Sequence, residues 1–162
     1  MPTNSIDFIK TSIQFNFAKT RLRSLIKIFD DERVYVDSEM REAGMRFKGK
    51  TWDELGIETL VVDADMLHLF SDKAIVAYLP AFLWWGMNVD DEWAYTVAHD
   101  TLLFILHDIE NGNDVKKSPV IRLLTAEQRR VVSQWCEFLI EVDFDPATQR
   151  RALVSRLNEA CL

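Results

Sequence analysis

Cysteine is nearly absent from this chain of 162 residues: Cys136 and Cys161 are the only two. Two cysteines cannot build a disulfide framework, and no CxxC spacing offers a zinc or redox site. Glycine (5) and proline (4) are also scarce, which argues against a loop-rich or many-stranded β architecture. No GxSxG, P-loop or GxGxxG motif occurs, so an activated-serine elbow and the common nucleotide cradles have no support. Long apolar runs are missing too. The longest, Ala74 to Met87, contains Pro80 and is shorter than the ~20 residues a membrane helix needs. The opening MPTNSIDFIK has no basic start followed by an apolar core. No secretory signal is therefore expected, and a reducing cytoplasmic setting is the default.

What is present is a large apolar fraction. Hydrophobic residues make up 48% and charged residues 28%, enough for a buried core and far too apolar for a disordered chain. The length fits one domain over 1–162.

The net charge of −7 is unevenly spread. Residues 1–50 hold ten Lys/Arg against seven Asp/Glu, whereas 51–112 hold Lys73 alone against twelve acids. Residues 113–162 are close to balanced, with eight bases and seven acids. An acidic middle disfavours nucleic acid, whose phosphates need Lys and Arg. It favours a basic partner by electrostatic steering, although the same charge also serves simple solubility.

Periodicity points to helices throughout. Ser5 to Gln14 reads as a short helix. Phe17 to Asp31 reads as a longer one, with Ala18, Leu22, Leu25, Ile26 and Phe29 on one stripe and Lys19, Arg23 and Lys27 on a solvated face. Residues 30–56 are polar and hold three of the five glycines. A helix over Ser38–Met45 fits there, with Phe47 and Trp52 as aromatic anchors and Thr51/Glu54 as a capping box. Ile57 to Val62 is a buried strand or a turn into the next helix. Asp63 or Asp65 is placed to cap a short helix through Phe70.

Ser71-Asp72 then caps the most apolar helix, Lys73 to Met87, where Pro80 predicts a kink near Ala77 or a break. Asn88 to Glu92 forms an acidic turn before a helix over 91–111, which Asn111-Gly112 stops; Ser118-Pro119 marks a further connection. Thr125 and Gln128 form a second capping box ahead of a helix over Ala126–Asp143. Asp145-Pro146 opens a last helix to about Ala160. The expected fold is all-α: a compact bundle of five to seven helices around a central apolar helix kinked at a proline.

Chemistry is harder to find. His99 and His107 share a helix but stand eight residues apart, about 12 Å of rise, too far to ligate one ion. A metal would need His68 or acids from other helices. The pairs Asp30-Asp31 and Asp90-Asp91, with Asp63 and Asp65, read as caps and turns rather than convergent catalytic carboxylates. Cys136 falls in a helical core pattern. Trp84-Trp85 is the most informative pair. Helical neighbours differ by ~100°, so either the helix is surrounded by core or one ring reaches the surface. An exposed ring beside Asp90, Asp91 and Glu92 is a natural protein-binding spot.

The segment SDKAIVAYLPAFL (Ser71–Leu83) resembles the hallmark of an uncharacterised bacterial all-helical family, a domain of unknown function. Its pattern also includes a tryptophan-plus-acid element, matched by Lys50-Thr51-Trp52-Asp53, and a late T-x-E-Q box, matched by Thr125-Ala126-Glu127-Gln128. The likeness spans residues 47–142 and carries no activity. In size, acidity and lack of catalytic motifs the chain is similar in type to bacterial immunity proteins, which silence a toxin by binding it.

The leading expectation is a non-enzymatic protein-binding module with a basic protein partner, in the specific case a toxin. Trp84, Trp85, Asp90, Asp91 and Glu92 are its candidate contacts. No cofactor, metal, nucleic acid or membrane is expected. The alternative is an enzyme using His68, His99 or His107 with unpatterned acids, with or without a metal. A homodimer with a structural role is a third reading.

Overall fold

The computed structural model describes residues 6–88, 90–111 and 120–142, with the backbone alone for residues 64, 65, 106–111, 120 and 121. Every regular element among them is helical. In chain order they are α1 (Ile6–Asn16), α2 (Leu25–Phe29), a 3-10 turn at Glu32–Tyr35, α3 (Ser38–Phe47) and a 3-10 turn at Trp52–Glu54. Then follow α4 (Ile57–Val62), a 3-10 turn at Ala64–Leu69, α5 (Asp72–Trp85), α6 (Glu92–Asn111), α7 (Val120–Leu123) and α8 (Ala126–Glu141). This is the expected helical bundle, built on five helices of ten residues or more.

The most apolar helix is the central one. α5 touches α1, α2, α4, α6, α7 and the 52–54 turn, and its residues from Ala77 to Leu83 are all buried. A helix apolar on every side must be surrounded to be stable. α5 runs unbroken through Pro80. The proline removes only the N–H that would reach the Val76 carbonyl, and the packing around the helix holds the turn together.

Aromatic rings fill the space between α5, α3 and the segment before Ser71. Phe47 at the end of α3 has its centroid 5.0 Å from Phe70, 5.1 Å from Tyr78 and 6.4 Å from Phe82. Phe29 joins edge-on to Phe70 at 5.7 Å. These separations lie in the range where aromatic pairs add to simple burial. The buried Tyr78 hydroxyl donates to the Phe47 carbonyl at 3.1 Å, satisfying a polar group at a helix end that would otherwise be orphaned. Burial raises the Tyr78 phenol to about 12, so it remains a donor throughout the physiological range.

Two side chains splice helix ends together. Ser71 accepts from the Ala74 N–H at 3.1 Å and donates to the Lys27 carbonyl at 2.7 Å, while its own N–H donates to the Ile28 carbonyl. One residue thus caps the start of α5 and the end of α2. At the expected Thr125/Gln128 box, the Gln128 Oε1 accepts from the Thr125 N–H and its Nε2 donates to the Asn16 carbonyl at 3.0 Å. The cap of α8 is thereby fastened to the end of α1, the helix against which α8 packs. The Thr51/Glu54 box also forms, opening the 52–54 turn.

One expectation changes. The long helix over Phe17–Asp31 is not formed; only Leu25–Phe29 is helical. Ser24 caps α2 by accepting from the Lys27 N–H, and Asp30 ends it in the left-handed region at φ 53°. The preceding residues are held out of helix by tertiary bonds. Lys19 pairs with Asp53, Arg21 grips Glu54 and the Gly49 carbonyl, and the Gly49 N–H donates to the Leu22 carbonyl. Gly49 takes φ 76° to do so, a conformation that suits glycine. Of the expected stripe, Leu22 and Phe29 are buried, Leu25 and Ile26 half-buried and Ala18 exposed, while Phe17 and Ile28, off the stripe, are buried as well; the chain reaches the core without a continuous helix.

Of the two alternatives at Ile57–Val62, a strand or a turn into the next helix, the structure takes the helical one, and α4 leads into the 3-10 turn at Ala64–Leu69. Asp63 occupies the cap position of the following turn but makes no side-chain cap bond there, because its carboxylate is engaged elsewhere. The helix expected from Asp145 to Ala160, Cys161 and the connection at Ser118-Pro119 lie outside the described residues.

Phe47 is fully buried at the centre of the ring cluster. Phe47→Ala is expected to cost ~3–5 kcal/mol, read as a lower urea midpoint. Gly44→Ala tests the same packing from the other side. A methyl there would stand 2.7 Å from both Leu25 Cδ2 and Phe29 Cε2, and overpacking of this kind costs ~1–3 kcal/mol.

Candidate functional site

Trp84 and Trp85 lie at the end of α5 and are both half-buried. Neither is free to swing. The Trp85 Nε1 donates to the Leu55 carbonyl at 3.0 Å. The Trp84 ring meets Trp52 at a centroid distance of 5.8 Å and a 50° tilt, and the Lys10 ammonium from α1 stands 4.9 Å from its centroid. With Gln14, Asp53 and Ala81 the three indoles line a cleft of about 100 Å³. Asp90, Asp91 and Glu92 are not among its walls.

Those acids sit at the other candidate location, the turn into α6. Asp91 is engaged with the backbone, where its Oδ1 accepts from the N–H groups of Trp93 and Ala94 at 3.0 Å each. It caps the helix and meets the positive end of its dipole. Asp90 and Glu92 are exposed, and no ion pair among the described residues takes any of the three.

The exposed tryptophan beside the acids is Trp93, at 48%. Tyr95 and Leu103 are likewise exposed at 44% each, and Tyr95 lies parallel to His99 at 6.4 Å. Ala94, Val97, Ala98, Leu102 and Ile105 form the buried side of the helix. Trp93 lies one turn before the buried Val97 on the same side of the helix, so helical spacing alone gives no signal that it faces outward; its place in the first turn of α6 leaves it exposed.

The residues considered for catalysis are dispersed into structural roles. His68 packs edge-on against Phe104 at 5.2 Å. His99 approaches Asp100 at 3.2 Å, and the side chain of His107 lies outside the described residues. Among those residues no group of three His, Cys, Asp or Glu is gathered as a metal would require. Asp30 and Asp31 terminate and cap helices, with Asp31 also holding Arg33. Cys136 is buried, which pushes its thiol pKa upward and keeps it protonated.

The most buried carboxylate among the described residues is Asp63, 1% exposed and held by Arg46 through two bonds of 2.6 Å. Such a bidentate pair fixes α3 against the end of α4. Its members stand seventeen residues apart in sequence, with no local pattern to announce the pairing.

No helix among the described residues is long and apolar enough to cross a membrane. Comparison with family models, with curated proteins and with solved structures finds no match to this chain.

The wall of the tryptophan cleft is pinned by the pair between Arg21 and Glu54, two bonds of 2.7 Å. The Arg21 guanidinium, helped by the Thr51 N–H and hydroxyl, holds the Glu54 carboxyl at about 2, below its ordinary 4.5. A depressed folded-state value means the stabilisation is complete above pH 4.5 and disappears as pH falls toward 2. Glu54→Gln keeps the capping geometry but not the charge. Its urea midpoint is expected below wild type at neutral pH, with the difference closing across that acid window. A constant difference down to pH 2 would contradict the ion-pair account.

Proposed function

We propose that this protein is a non-enzymatic binding module that captures a basic protein partner. The observation that carries the reading is the start of α6. There Trp93 is exposed in the first turn of α6, next to Asp90 and Glu92, which no cation among the described residues neutralises. Aromatic side chains supply contact area at little entropic cost, and unpaired acids speed and orient the approach of a positive surface. The surplus of acids between 51 and 112 extends the same field. Neutralisation of a toxin by direct binding, as immunity proteins do, is the specific case we favour, because it needs a charged surface and no reaction centre.

Trp84 and Trp85 were the natural tryptophan contacts in the sequence. In this reading Trp93 takes that place, and Asp91 contributes by holding the helix start.

The test is a pull-down with the tagged chain at ~50 and ~500 mM salt, since exposed charges are screened within a few ångströms at the higher value. Asp90→Lys with Glu92→Lys spares the Asp91 cap. This double variant is expected to lose retention of a basic partner, and wild-type retention is expected to fall with salt. Trp93→Ala is expected to weaken the same complex by roughly tenfold or more. Retention indifferent to salt and to all three changes would refute the assignment of this face.

A further inference from the structure

The tryptophan cleft is independent of that surface and has its own chemistry. Three indoles, Trp52, Trp84 and Trp85, line one small opening together with Asp53 and Gln14. Indole faces carry negative quadrupole potential and are the best aromatic partners for cations. The molecule already uses this property, since Lys10 places its ammonium 4.9 Å from the Trp84 centroid. The rings are also fixed in advance. Trp85 is tied to Leu55, and Trp52 is almost wholly buried against Trp84.

The class of cation follows from what the cleft offers. A primary ammonium needs three acceptors. Asp53 is the only carboxylate among the described residues of the wall, and it already accepts from Lys19 at 2.5 Å and from the Thr51 hydroxyl at 2.7 Å. The Gln14 amide oxygen is the one other side-chain acceptor of the wall, and the Trp52 indole N–H is buried with no acceptor among the described residues, so the wall offers fewer acceptors than an ammonium needs. A cation that makes no hydrogen bonds and spreads its charge over methyl groups loses nothing there.

Size agrees. An apolar cavity of ~150 Å³ admits benzene, and this cleft of about 100 Å³ suits a smaller group such as a methylated nitrogen. We infer that the Trp52–Trp84–Trp85 cleft is a binding site for a small organic quaternary ammonium ion, held by cation–π attraction.

The test is titration of the intact protein with choline, followed by calorimetry and by the indole N–H resonances. The controls are 3,3-dimethylbutan-1-ol, the uncharged isostere of choline, and ethanolamine, its primary-amine counterpart. Choline is expected to saturate, with both controls roughly tenfold weaker or worse, the scale of a desolvated cation–π contact. Trp84→Leu is expected to abolish the choline response. Because that variant also changes packing, Lys10→Ala provides the opposite sign: removing the neighbouring positive charge is expected to tighten choline binding by roughly two- to threefold at low salt. A gain of affinity cannot arise from misfolding.

Three results would overturn the site: no saturable response to choline in either wild type or Lys10→Ala, equal affinity for the alcohol, or unchanged binding in Trp84→Leu. The pull-down described above does not involve this cleft, so the two assignments stand or fall separately.

Discussion

The packing of Phe47 against α5 is the contact on which the remaining architecture depends. Its ring touches Phe70, Tyr78 and Phe82, and its carbonyl receives the Tyr78 hydroxyl. A single residue therefore fixes the end of α3, the position of the residue before Ser71 and the rotation of the central helix. Ser71 then carries that placement to α2. Because protein interiors are close-packed, these elements cannot shift independently. The surface features follow from the frame: the orientation of α5 puts Trp84 and Trp85 at the 52–54 turn, and the turn after Trp85 starts α6.

Polar interactions do a different job from the rings. The Arg46–Asp63 and Arg21–Glu54 pairs and the Gln128–Asn16 bond each join segments distant in sequence. Burial of apolar area supplies the larger drive but is non-directional. Bidentate ion pairs and cap-to-carbonyl bonds have strict geometry, so they select one arrangement among several that would bury similar area. The non-helical path of residues 19–22 is the clearest instance: its apolar pattern is compatible with a helix, and the bonds to Gly49, Asp53 and Glu54 decide against it.

Two places combine tryptophan with acids. The cleft holds tryptophans that are half-buried or buried and an acid already paired with Lys19. The start of α6 holds an exposed tryptophan and acids without cation partners among the described residues. The first arrangement suits a small cation without hydrogen-bonding needs, the second a large positive surface.

Local signals in the sequence were enough for much of this. The scarcity of glycine and proline, the 3.6-residue periodicity and the capping boxes at Thr51 and Thr125 pointed to the helical class and several element starts. They did so because caps and amphipathic stripes act over three or four residues. The exposure of Trp93 was not legible in the same way, because it stands one turn before the buried Val97 on the same side of α6. Nor were the loss of the helix over Phe17–Asp31, the Arg46–Asp63 pair and the meeting of Trp52 with Trp84. Each depends on residues far apart along the chain, and periodicity says only that a side chain is buried, not which side chain it meets. That choice belongs to tertiary packing, where shape and bond direction act on the whole chain at once.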